Sequence, residues 1–161
     1  MRWSGRRASL LALLVAVVAV VSVHVWFDVM PTIESDDAIV VTADEAVDVA
    51  GQRFALRSMR ADEFEAPDGA HSVSIRLHST GGAEATGCRS LLLTAQDDGR
   101  VWTPATSELD IPSDAGESRC QAESPPYDLL AVFVVPDDAS GPFWFDVTDE
   151  DGRVVRFPVE L

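Results

Sequence analysis

From about residue 38 onward the hydrophobic and polar positions alternate with a period of two, not the 3.6 of a helix. "HSVSIRLHS" places Val73, Ile75 and Leu77 on one face and Ser72, Ser74, Arg76 and His78 on the other. "FWFDVTD" sets Phe143, Phe145 and Val147 against Trp144, Asp146 and Thr148. "LLAVFVV", Leu129 to Val135, is apolar throughout, as a central sandwich strand would be. "RFALRSM", "CRSLLLTA" and "RVVRFPVEL" add three half-buried strands, and "AIVVT" (Ala38 to Thr42) another. Glu45 to Val49 is placed to pair with Phe54 to Met59 across Ala50-Gly51-Gln52. Gly, Pro, Asp and Ser fill the intervening stretches, and no amphipathic helix interrupts them. This pattern predicts an all-β fold, an antiparallel two-sheet β-sandwich, for residues 38–161.

The N-terminal part obeys a different rule. Ala8 to Phe27, "ASLLALLVAVVAVVSVHVWF", carries no formal charge. A helix rising about 1.5 Å per residue over that run reaches about 30 Å, the thickness of a bilayer's hydrocarbon core. Trp3 and Trp26 sit where interfacial aromatics belong. Arg2, Arg6 and Arg7 lie on one side and acids follow on the other, which keeps residues 1–7 in the cytoplasm and sends the rest outside. The expectation is one N-terminal transmembrane helix, an uncleaved signal anchor over 8–27, followed by a stalk over 28–37, "DVMPTIESDD". The competing reading is a cleaved signal peptide, but the run is long for one and lacks an Ala-x-Ala site near its end. Ala8, Ala12 and Ala16 form a small-residue stripe through which two helices would approach, so a homodimer through the helix stands as the weaker alternative to a lone anchor.

Charge narrows the partners. The chain has no Lys; its twelve basic residues are all Arg, and three of them precede the first acid, Asp28. From residue 28 onward 27 acids face nine Arg, a formal −18. Such a surface repels phosphate backbones, so no nucleic acid is expected as a partner. It repels anionic headgroups too, leaving the N-terminal helix as the membrane contact.

Cys88 opens a strand and Cys120 lies in the longest connection, residues 104–127. Two Cys in an exported domain form a disulfide most simply. A bridge closing a loop of about 33 residues stabilises by roughly 3–4 kcal/mol in the chain-entropy model. It would also tether that connection to the sheet.

Two stretches echo one another, "LTAQDDGRVW" and "VTDEDGRVVRF". As calcium loops of the EF-hand kind both fail. With Gly152 at the sixth position, the first and twelfth are Val147 and Pro158; with Gly99 there, they are Thr94 and Ala105. Asp-Gly between apolar runs is a hairpin signal, so Gly99 and Gly152 are read as turn glycines. His71 and His78 lie an odd number apart on one strand and face opposite ways. "GGAEATG" lacks a Gly-Lys-Ser/Thr, and no Gly-x-Ser-x-Gly occurs. No catalytic, cofactor-binding or metal-ligating residues are therefore assigned, no cofactor is expected, and the chain is not read as an enzyme.

The opening hairpin "EAVDVAGQRFALRSM", the alternating "SVSIRLHS", then "LLLTAQDDGRVWTP" and "LLAVFVVPDDASGPFWFDVTD" carry a resemblance. The chain resembles the small Ig-like extracytoplasmic domains of unknown function in Gram-positive bacteria, found behind lipoprotein signals or single membrane helices. These are related in fold to the mycobacterial immunoprotective antigen. The resemblance covers residues 38–161 and implies an Ig-like sandwich at the cell surface, without catalytic residues. Many relatives carry a lipobox Cys after the apolar run, and this chain has none. The expected role is a single-pass cell-membrane protein, N-terminus cytoplasmic. Its extracytoplasmic sandwich is a non-catalytic binding or scaffolding module for an unidentified envelope protein. A small-ligand or cation-binding domain using the acidic loops, and a hydrolase with an unrecognised site, are the alternatives. An apolar patch around Trp102 or Trp144 favours the first reading and a concave polar pocket the others.

Overall fold

The structure, a computed structural model, describes residues 38–42, 45–123 and 125–160. The anchor and stalk expected over residues 1–37 lie outside the described residues. Among the described residues no helix is long and apolar enough to cross a membrane.

Nine strands follow in order: β1 (Ile39–Val40), β2 (Val47–Val49), β3 (Gln52–Ala61), β4 (Ala70–Ser79), β5 (Cys88–Ala95), β6 (Val101–Trp102), β7 (Tyr127–Pro136), β8 (Phe143–Asp149) and β9 (Val154–Val159). They form a five-stranded sheet, β1-β9-β8-β5-β6, and a four-stranded sheet, β2-β3-β4-β7. Every pairing is antiparallel except β1 with β9. The chain changes sheet between β1 and β2, β4 and β5, β6 and β7, and β7 and β8. This is the all-β two-sheet sandwich that the alternation predicts.

The inward positions are those of the period-two reading. Val73, Ile75 and Leu77 of β4 and Leu129, Ala131, Phe133 and Val135 of β7 meet Leu91, Leu93, Phe143, Phe145, Val147, Val155, Phe157 and Val159. Phe133 crosses from one sheet to Phe145 of the other, ring centroids 5.9 Å apart at 71°, and Phe157 continues the stack 6.3 Å beyond. Edge-to-face aromatic pairs of this kind stabilise by about 0.5–1.5 kcal/mol beyond their buried area.

Two features depart from a simple inside–outside alternation. Ser72 and Ser74 point away from the core yet are fully buried. The β3–β4 connection folds back over them. Ser72 Oγ donates to Phe64 O at 2.7 Å and accepts from Phe64 N–H at 3.1 Å, while Ser74 Oγ donates to Glu63. Arg76 Nη1 closes the latch on Glu63 Oε2 at 2.6 Å. Leu130 and Val132 of β7 also face outward and are buried. The 103–126 connection lies along the outer edge of β7: Ala105 N–H bonds Val132 O, and Glu117 pairs in parallel with Leu129. That cover leaves β7 without an open edge for another chain to pair with.

Candidate functional site

Cys88, at the start of β5, is disulfide-bonded to Cys120, with Cα atoms 5.3 Å apart. Beside the bridge lies a buried polar hub that no local sequence pattern marks. Gln52 is 3 % exposed at the turn end of β3. Its Nε2 donates to Thr86 O and Gln121 O at 3.2 and 3.3 Å, and its Oε1 accepts from Ser79 Oγ and Tyr127 Oη. Tyr127 Oη also accepts from Gln121 N–H at 2.8 Å, and burial pushes its phenol above the ordinary tyrosine range. With both amide groups of Gln52 satisfied, burial costs little net free energy and fixes one geometry. The bridge and the hub together hold the 118–123 segment against the end of the sandwich.

The two echoed stretches are hairpin turns. Gly152, φ +85°, follows Glu150 and Asp151, and Gly152 N–H bonds Asp149 O. Gly99, φ +71°, ends a longer loop over Gln96–Gly99 in which Gly99 N–H bonds Ala95 O. Neither is a bare two-residue Asp-Gly turn; in both, Gly takes the left-handed position at the end of the loop, as three- to five-residue hairpins require. Their carboxylates serve the turns. Asp149 Oδ1 accepts from Arg153 N–H at 2.8 Å. Asp98 accepts from Arg100 N–H, which holds its carboxyl below the usual range, and its second oxygen pairs with Arg100 Nε at 2.6 Å. Among the described residues no three His, Cys, Asp or Glu are grouped to hold a metal ion.

His71 and His78 sit at opposite ends of β4, each beside a different acid. His71 Nδ1 lies 3.7 Å from Asp137. His78 Nδ1 meets Asp128 Oδ1 at 2.8 Å, and Arg57 Nη1 takes the other oxygen of Asp128. The His78 hydrogen bond, then Arg57, holds the Asp128 carboxyl below its ordinary range. Ala55, Leu56, Arg57 and His78 line a shallow, open groove of about 360 Å³ beside them.

Of the two tryptophans named as patch candidates, Trp102 turns inward, edge-on to Phe143 at 5.8 Å with Arg100 5.7 Å from its ring. Trp144 turns outward on the five-stranded sheet. The register sets Val101, Thr94, Trp144 and Pro158 in one row across that face and Leu92, Asp146, Arg156 and Val40 in the next. Asp146 and Arg156 form a bidentate pair at 2.7 and 2.8 Å, and the guanidinium lies 5.7 Å from the Trp144 ring centroid. The charges in these two rows therefore cancel. Among the described residues the exposed large hydrophobics are Ile39, Val40 and Val101, at 40, 60 and 42 %, all on the edge strands β1 and β6 of this sheet. The pairing of Asp146 with Arg156 was readable in principle: once Gly152 fixes the turn, the hairpin register sets them opposite.

No family model matches the chain, and no curated protein matches it. Among solved structures it is similar to an uncharacterized β-sandwich protein from Clostridium difficile 630, at 9 % identity and a TM-score of 0.48. That likeness covers 76 % of this chain and 95 % of the other.

Proposed function

We propose that the chain is a non-catalytic binding or scaffolding module of the cell envelope. Residues 8–27 hold it in the membrane, and the sandwich, of immunoglobulin-like strand order, lies outside. The strand order β3-β4-β7 against β9-β8-β5-β6, with β1 parallel to β9, supports the Ig-like reading. The observation that carries the binding role is the outer face of the five-stranded sheet. In a domain whose residues 38–161 carry 23 acids and nine Arg, a formal −14, it presents Trp144 and Val101 beside a pair, Asp146–Arg156, that neutralises itself. Exposed apolar positions on both edge strands flank it. The occupant that fits is a folded envelope protein with an apolar, uncharged patch, because such a partner meets no unpaired charge there.

The test is a photo-crosslinking residue at Val101 or Thr148 in the full chain on intact cells, followed by mass spectrometry. The expected result is one dominant crosslinked protein, lost on Trp144→Asp while the melting temperature of the domain holds. Crosslinks that persist in that variant, or that arise equally from the exposed Asp114 in the 103–126 connection, would overturn this face as the interface.

A further inference from the structure

A second surface, independent of the Trp144 face, lies on β3. β2 pairs only with Gln52, Arg53 and Phe54. Beyond them, Ala55 to Ala61 has β4 on one side and no described residue bonded to its backbone on the other. Among the described residues it is longer than the stretches left uncovered on β5 beyond β6, Cys88 to Leu92, and on β9 beyond β1, Phe157 to Val159, and β7 is covered. The ladder also fixes which groups point out. Asp62 N–H bonds Ser72 O, and Ser58 and Arg60 face Arg76 and Ser74 across it. Met59 and Ala61, in the alternate positions, turn their N–H and C=O away from β4.

The chemistry of this edge differs from the domain's: with the two carboxylates that touch it, Asp128 and Glu63, counted against its four Arg, it keeps an excess of two positive charges. β3 and β4 together contain Arg53, Arg57, Arg60, Arg76, His71 and His78 and no acid, in a chain with 27 acids. Arg57 and Arg60 side chains are 59 and 63 % exposed. Two carboxylates from neighbouring segments orient them: Asp128 is shared by Arg57 and His78, and Glu63 by Arg60 and Arg76. Charged side chains and bulges guard an edge against unwanted pairing, and a bulge between Leu56 and Ser58 does interrupt this one. But charge repels only like charge. Arg on an edge draws an acidic strand in. The groove lined by Ala55, Leu56, Arg57 and His78 opens at the start of the uncovered stretch, with an apolar floor and a cationic rim.

We propose that this edge receives an extended acidic segment of a partner protein as an added strand of the four-stranded sheet. The segment's backbone bonds the outward groups of Met59 and Ala61, its carboxylates meet Arg57 and Arg60, and one of its side chains occupies the groove. Strand addition draws affinity from the main chain and specificity from alternate side chains, and this edge offers both.

The test uses the full chain in detergent and two labelled peptides, one alternating Glu with Val and one alternating Lys with Val. Fluorescence anisotropy should show saturable binding of the Glu peptide, and the Lys peptide should bind at least about tenfold more weakly. Hydrogen exchange at the Met59 and Ala61 amides should slow when the Glu peptide binds. The double change Arg57→Glu with Arg60→Glu should reverse the preference. Ala61→Pro removes an outward N–H without touching the β4 ladder, so it should abolish the protection read at the Met59 amide while the melting temperature holds. Equal binding of both peptides, or binding without slowed exchange at Met59 and Ala61, overturns the proposal. So does self-association of the full chain that Arg57→Glu with Arg60→Glu abolishes, if no peptide binds, because the occupant is then a second copy.

Discussion

Tyr127 and Gln52, 75 residues apart in sequence, meet through one hydrogen bond of 3.0 Å from the phenol to the amide oxygen. That contact joins the start of β7 to the start of β3 and sits beside the only disulfide among the described residues. Tyr127→Phe strands Gln121 N–H, which the hydroxyl now satisfies, and should cost about 1–2 kcal/mol. Gln52→Ala leaves Thr86 O, Gln121 O and the two hydroxyls without their amide and should cost about 2–3 kcal/mol. Because the groups share partners, the double variant should lose less than the two together. Urea unfolding of all three checks this, and strict additivity would show that the hub is not one unit.

The disulfide guards a shorter segment than the length of the connection suggests. Ala105 and Glu117 are bonded to β7 through backbone hydrogen bonds in which the bridge takes no part. Loss of the bridge should therefore loosen residues 118–126 and leave the earlier part of the loop in place. Arg119 is the one tryptic site between Pro104 and Tyr127. The Cys88→Ala, Cys120→Ala variant should still fold, lose roughly 2–4 kcal/mol, and be cut by trypsin at Arg119 much faster than the parent. Peptide mapping after brief digestion decides it; cleavage first elsewhere would mean that the bridge guards a different segment.

Three glycines separate backbone strain from crowding. Gly51, Gly99 and Gly152 all have positive φ, at +69, +71 and +85°. A Cβ at Gly99 or Gly152 would meet nothing within 4 Å, so Ala there should cost only the left-handed penalty, about 1 kcal/mol, and Val somewhat more. A Cβ at Gly51 would collide with the Glu84 carbonyl, a backbone atom fixed by the hydrogen bonds of the two residues that follow it, Ala85 N–H to Gly82 O and Thr86 N–H to Ala50 O. Gly51→Ala should therefore cost about 3 kcal/mol or more, combining strain with displacement. Thermal melts of the three Ala variants rank them, and equal losses would refute the crowding at Gly51.

The sandwich was legible because its signal is local. Each buried Phe or Val of β8 is separated from the next by one outward residue, and that spacing needs no knowledge of the partner sheet. The turn glycines and the Cys88–Cys120 pair were legible for related reasons: positive φ selects Gly, and two cysteines allow one intramolecular pairing. The hub was not, because nothing in "GQRF" marks Gln52 as buried until Gln121, 69 residues on, is known to lie beside it. Nor was the burial of Ser72 and Ser74. Alternation puts them on the outer face, and only the fold-back of Phe64 and Glu63 removes that face from water. The uncovered edge of β3 was hidden too, since it depends on β2 stopping at Val47, opposite Phe54, instead of running the length of its neighbour.

Acid should undo that outer face first. The Arg76 hydrogen bond to Glu63, supported by Ser74 and Arg60, holds the Glu63 carboxyl below its ordinary range against the opposing effect of burial. A carboxyl depressed in the folded state adds stability that is complete above its unfolded value, about 4.3, and disappears as pH falls through the folded value. The melting temperature should thus hold between about pH 7 and 5 and fall below about pH 4. Asp128 is lowered in the same direction, but its partners His78 and Arg57 are 47 and 59 % exposed, so solvent and salt screen those contacts and their share is smaller. Glu63→Gln removes the charge that Arg76 holds. It should lower the melting temperature at pH 7 and flatten the acid limb, so that variant and parent converge near pH 3. The β3–β4 connection should then exchange its Phe64 amide faster at neutral pH, because the latch over Ser72 is weakened. Melting curves that stay parallel from pH 7 to 3 would show that Glu63 contributes nothing through its charge, and that Ser72 with Phe64 holds the connection unaided.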